Sequence, residues 1–153
     1  MSDTRSGAAG RIVVGVDGSP AADEALRWAV AQATRTGDTV QATIAWQYPI
    51  SVGGYGWAPT IMDDNIDFAS IATKTVAEAV NRVSGADSTV TIAQRVVEGY
   101  APQILTEASA GADLLVVGSR GHGTFADALL GSVSQHCAHH AKCPVVIVRG
   151  HAG

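Results

Sequence analysis

The sequence predicts an α/β protein: an open, largely parallel sheet of five strands with helices on both faces. Two observations lead there. Short apolar runs of strand length recur along the chain, and the segments between them carry apolar residues at the helical period. Strands separated by helices form a parallel sheet that the helices cover on both sides. The composition agrees, since 46% hydrophobic and 16% charged residues over 153 positions describe a globular chain able to enclose a core. No repeat, low-complexity tract or linker divides it, so one domain is expected over residues 11–150. Residues 1–10 are polar and aperiodic, and a disordered tail is expected there.

The first strand is expected at Ile12 to Val16, ending in Asp17-Gly18-Ser19. Ser19 is placed to cap the next helix and Pro20 to occupy its first position. Ala22, Ala25, Leu26, Ala29, Val30 and Ala33 then share one helical face before Gly37 closes the helix. From Thr39 to Trp46, Val40, Ala42, Ile44 and Trp46 alternate with their neighbours, which predicts the second strand. Tyr48 to Thr60 is rich in Gly, Pro and aromatic residues, and a loop of that length suggests a lid. A long helix is expected from about Met62 to Val83, with Ala69, Ala72, Val76, Ala79, Val80 and Val83 facing inward. Val90 to Val97 predicts the third strand. Ala101-Pro102 opens a helix carrying Ile104, Leu105 and Ala108, which Gly111 ends. Asp113 to Val117 is the fourth strand and Pro144 to Val148 the fifth. Between them, Ser132-x-x-Gln135 has the spacing of a capping box for a last helix reaching about Ala141.

The most informative stretch lies between the fourth strand and the last helix. Leu114 to Val117 stops at Gly118-Ser119-Arg120-Gly121, Gly123 follows His122, and Gly131-Ser132 opens the helix. Glycines there allow close approach of the backbone to a ligand, and the amides of the loop and of the first helical turn lack partners within their own elements. Converging amides attract anions. Arg120 can fork onto phosphate oxygens or remain a solvated loop charge, and His122 either contacts phosphate or contacts nothing. Ser132 and Ser134 add hydroxyl donors. Together these residues read as a phosphate cradle.

Gly118-x2-Gly121-x9-Gly131-Ser132 resembles the G-x2-G-x9-G-S/T pattern of ATP-binding universal stress proteins, with no element missing. The segments Ile12 to Ser19 and Cys143 to Val148 also resemble that family's first and last strands, so the similarity runs from Arg11 to Arg149. The resemblance implies a Rossmann-like sheet of the adenine-nucleotide alpha hydrolase type, with strand order 3-2-1-4-5. Ligands of such open sheets sit beyond the carboxyl ends of the strands, where the winding direction reverses, so Asp17 would face Gly118 across a crevice. Beside a phosphate cradle, the Asp17 carboxylate suits the adenine edge, ribose hydroxyls or a metal better than phosphate; its other reading is a turn or cap residue. Ala45 aligns with the position whose backbone meets adenine in that family. Val117 and Val133 would add backbone or apolar contact, and Gly15 serves either the ligand or close packing. The resemblance implies ATP as ligand, accompanied by Mg2+, and a nucleotide-dependent regulatory or stress-response module. The alternative is a slow ATP hydrolase or adenylyl-transferring enzyme on the same fold, for which the loop supplies only Asp127 as a carboxylate. A homodimer through Pro144 to Val148 is expected, because an apolar edge strand otherwise presents unpaired backbone to solvent.

Other classes are disfavoured. A net charge of −4, without a basic stripe, argues against a nucleic-acid surface. The chain offers no membrane span and no apolar leader, which makes the cytoplasm the expected location. Cys137 and Cys143 support neither a disulfide framework nor a four-thiolate zinc site. His136 and His140 have the i,i+4 spacing of a metal pair, but no carboxylate follows Asp127 in the chain. With His139 they are read as structural or surface histidines.

Overall fold

The computed structural model describes residues 10–48, 66–85, 89–119 and 131–149. In chain order the elements are β1 (Arg11–Gly15), α1 (Pro20–Thr36), β2 (Thr39–Trp46), α2 (Phe68–Val83), β3 (Ile92–Glu98), α3 (Ala101–Ala108), β4 (Leu114–Gly118), α4 (Ser132–His140) and β5 (Val145–Val148). The five strands form one sheet in the order β3-β2-β1-β4-β5, and all four neighbouring pairs are parallel. The central strand, β1, pairs Ile12 with Val40 of β2 on one side and with Leu114 of β4 on the other. The expected sheet and strand order are both found.

Strand alternation divides the core into two layers. On one face, Ile12, Val14, Val40, Ala42, Ile44 and Val116 pack against Ala25, Leu26, Ala29 and Ala33 of α1 and Ala72, Val76, Ala79 and Val80 of α2. On the other, Val13, Leu115 and Val117 meet Leu105 and Ala108 of α3 and Cys137 of α4. β1 sends Ile12 and Val14 to one face and Val13 to the other, all buried, as a strand covered on both sides requires. Bidentate contact of Arg82 with Asp23, at 2.8 and 3.1 Å, ties α2 to α1 at their solvent side.

The helix ends follow their capping chemistry. Ser19 accepts from the Ala22 amide at 3.2 Å, Pro20 takes the first turn of α1, and Gly37 ends it in the left-handed region (φ 83°). Three expectations shift. Helix α3 stops at Ala108 rather than at Gly111, because Ser109 caps it, its amide donating to the Leu105 and Thr106 carbonyls at 3.0 and 3.2 Å. Helix α2 starts at Phe68 rather than near Met62: Ile66 and Asp67 are not helical, and residues 62–65 lie outside the described part. The start is set by Asp67, whose carboxylate accepts from the Ser70 amide and hydroxyl at 3.0 and 2.7 Å, and those bonds hold its carboxyl below the ordinary range. The capping-box reading of Ser132 also shifts by one residue. Gly131 is the cap of α4, with no side-chain cap bond, and Ser132 is the first helical residue. Of the expected lid, Tyr48 is an exposed, non-helical residue, and residues 49–60 lie outside the described part, as does the tail over residues 1–9.

Candidate functional site: the crevice between the first and fourth strands

After β1 the chain winds towards β2 and β3; β4 and β5 lie on the other side. The connections leaving β1 and β4 therefore part, and a crevice opens beyond their carboxyl ends. It holds a cavity of about 300 Å³. Gly15, Val16 and Asp17 reach it from β1 and its following turn, Thr43 and Ala45 from β2, and Val117 and Gly118 from β4. Gly131, Ser132, Val133 and Ser134 bring the start of α4 to the same space. Nine of the residues singled out in the sequence thus line one cavity. Asp17 and Gly118 both border it. Arg120, Gly121, His122 and Gly123 lie outside the described residues.

The start of α4 is held by main-chain bonds. The Gly131 amide donates to the Ser119 carbonyl at 2.8 Å, and the Ser119 amide donates to the Val148 carbonyl at 2.8 Å. Ser119 is buried and is absent from the cavity lining; it clips the end of β4 to the cap of α4 and to the end of β5. Ser134 is also buried, and its hydroxyl donates to the carbonyls of Ser119 and Gly131 at 3.2 and 3.0 Å, which reinforces the clip. A phosphate would have to draw that hydroxyl away from both carbonyls. In the first turn of α4, the amides of Ser132, Val133 and Ser134 have no acceptor within their helix, whereas the Gln135 amide reaches the Gly131 carbonyl at 3.0 Å. The positive end of the α4 dipole thus opens on the cavity.

The glycines do different work from one another. Gly118 is not in the left-handed region. Instead, a Cβ there would stand 2.8 Å from the Ala21 carbonyl oxygen and 2.9 Å from the Ala21 Cβ, so the first turn of α1 rests directly on the end of β4. At Gly15 a Cβ would come within 2.8 Å of Leu105 Cδ1, which matches its close-packing reading. Gly131, at φ −66° and ψ 167°, has a backbone that any residue can adopt.

Asp17 accepts from the Ser19 amide at 2.8 Å, the turn role weighed for it, and still borders the cavity. Beside the polar start of α4 much of the lining is apolar: Val16, Ala22, Ala101, Leu105 and Val117. Four of these and Thr43 were not singled out in the sequence. Thr43 was within reach of the strand period, since it lies two residues before Ala45 on the same side of β2. Ala22, Ala101 and Leu105 carry no such signal, because an apolar helix residue that borders a cavity looks the same in sequence as one that fills a core. Among the described residues no three His, Cys, Asp or Glu side chains surround a common point, so no metal position is defined in the crevice.

Residues 9–149 match the sequence profile of the universal stress protein family. The chain belongs to that family. Among curated relatives, the universal stress protein Rv2624c of Mycobacterium tuberculosis (strain H37Rv) is 34% identical over 140 residues, which take in 90% of this chain and 47% of that relative. The chain spans about half the length of the curated relatives it matches. Among solved structures, the universal stress protein UspA from Lactobacillus plantarum shares the fold with a TM-score of 0.74 at 22% identity, over 92% of this chain and 97% of that one. A universal stress protein crystallised in complex with cAMP is 26% identical, with a TM-score of 0.59 over 94% of this chain and 98% of its own.

Proposed function

We propose that this universal stress protein binds an adenine nucleotide in the crevice between β1 and β4, with ATP and Mg2+ as the ligand, and acts as a nucleotide-dependent regulatory module. The observation that carries the reading is the start of α4 facing a cavity of about 300 Å³ at the point where the sheet reverses. In this reading the amides of Ser132, Val133 and Ser134 and the Ser132 hydroxyl hold phosphate oxygens, joined by Arg120 and the amides of Gly121 and Gly123. The base lies among Val16, Ala45 and Leu105, where apolar side chains and the β2 backbone offer a flat contact. Asp17, in the same lining, is kept for ribose hydroxyls or a Mg2+ ion, since a carboxylate repels phosphate. The cAMP complex of a relative that shares 26% identity supports an adenine nucleotide as the class of ligand. The apolar edge strand β5 supports a homodimer.

Gly131→Asp tests the cradle, with circular dichroism as the check that the variant is folded. The backbone at Gly131 is extended, and aspartate is itself a favoured helix cap, so the variant should fold while placing a negative charge at the phosphate position. Calorimetry should show one ATP bound per chain of the unaltered protein, slow turnover, and a loss of affinity of about a hundredfold or more in the variant. Unchanged affinity in a folded Gly131→Asp protein would remove the cradle. Rapid turnover would instead favour the ATP hydrolase or adenylyl-transferring reading.

A further inference from the structure

A second cavity, also of about 300 Å³, lies between α3 and α4 and is lined by Gln103, Thr106, Glu107, His136, His140 and Lys142. It shares no lining residue with the nucleotide crevice. We infer that it is a site for a divalent late transition-metal ion, held by the imidazoles of His136 and His140 with Glu107 supplying negative charge from the facing helix.

Three observations carry the inference. The two histidines are four residues apart on α4, and their rings already stand together, with centres 4.6 Å apart and planes inclined by 43°. A metal–nitrogen bond of about 2.1 Å and a ring radius of roughly 1.2 Å put each ring centre ~3.3 Å from a shared ion, so rings at about 90° to 110° there are roughly 4.7 to 5.4 Å apart. The observed spacing lies just below that range, so binding requires the two side chains to rotate until their nitrogens face one point. The second observation is the carboxylate that the sequence around the histidines lacks. The fold supplies it from α3, where Glu107 Oε2 accepts from Gln103 Nε2 at 3.2 Å and lines the same cavity. Third, His140 is the last residue of α4, and the negative end of a helix dipole favours a cation beside it.

Lys142, also in the lining, opposes a cation and sets the sign of one test. No three His, Cys, Asp or Glu side chains converge on one point among the described residues. The site is therefore a two-imidazole one, completed by water and exchangeable, and its affinities follow the order copper above nickel and zinc.

The experiment uses the full chain, stripped with a chelator and then titrated with nickel(II) or zinc(II) chloride, read by calorimetry and by the imidazole resonances of the histidines. Metal should perturb His136 and His140 together. His140→Gln, at an exposed position, and His136→Gln should each weaken binding by about tenfold or more, while His139→Gln leaves it within about twofold. Glu107→Gln should weaken binding and Lys142→Ala strengthen it, each by a few-fold, as the sign of the local charge demands. Affinity unchanged by His136→Gln or by His140→Gln overturns the site, as does binding that shifts other histidines and leaves this pair unperturbed.

Discussion

At the scale of single residues, the side chains bordering the crevice do structural work that their types alone do not announce. Asp17 closes a turn, Ser134 bonds to two carbonyls, and Gly118 makes room for Ala21. Cys137 is the clearest case. It is fully buried between α4 and the sheet, and burial, with a smaller contribution from Cys143, pushes its thiol up to about 11. The folded chain therefore keeps this proton where the unfolded chain, with a thiol near its ordinary value of 9.0, has released it. Between those two values the native state binds more protons, so stability falls as pH rises through the window and is intact below it. Denaturant titrations at intervals from neutral to alkaline pH should show this fall, and Cys137→Ala should flatten it while shifting stability by a constant amount at neutral pH. Equal alkaline slopes in the two proteins would contradict the burial argument. The same neutral thiol should resist alkylation in the native state.

At the scale of elements, β4 and α1 depend on each other more closely than any pattern in either reveals. The first turn of α1 sits on the end of β4 with no room for a methyl group, and the obstructing atoms include backbone. Gly118→Ala should therefore destabilise the fold by about 1–3 kcal/mol, measured by urea unfolding, because α1 must lift from the sheet. A neutral effect would mean that the turn after β1 yields easily. Loss of nucleotide binding in a Gly118 variant would accordingly report on α1 as well as on the ligand. Element type was legible throughout the described chain, since the periods of 2 and 3.6 and the caps Ser19 and Gly37 are local features. Strand ends moved by one or two residues, as β3 shows by running from Ile92 to Glu98, and two helix starts moved where a cap overrode a pattern. The apolar period of α2 extends back towards Met62, but the two bonds that the Asp67 carboxylate accepts from Ser70 start the helix at Phe68. Ser132 has capping-box spacing, but the Gly131 amide is drawn to the Ser119 carbonyl, so the turn begins one residue earlier.

At the scale of the whole molecule, the sheet ends on one side in β5, a short strand of four apolar residues. The carbonyls of Pro144 and Val148 accept from Leu115 and Ser119, so Val145 and Ile147 turn their main-chain groups to the open edge. If two chains pair along this edge, sedimentation should show a dimer, and Ile147→Pro, which removes an outward donor and leaves the bonds to β4 in place, should yield a folded monomer. A monomeric parent protein, or a variant that still dimerises, would exclude pairing along β5. The sequence by itself determined the α/β class, the order of elements, and a glycine-bounded segment between the fourth strand and last helix, because periodicity and turn chemistry act over a few residues. Strand order came from the likeness of Gly118 to Ser132 and of both end strands to a known family, not from any local pattern. Only the tertiary structure decided that Ala22, Ala101 and Leu105 border the crevice and that Glu107 lines one cavity with His136 and His140. Those meetings join residues far apart in the chain, and they are fixed by how helices settle on a twisted sheet, which no short stretch of sequence encodes.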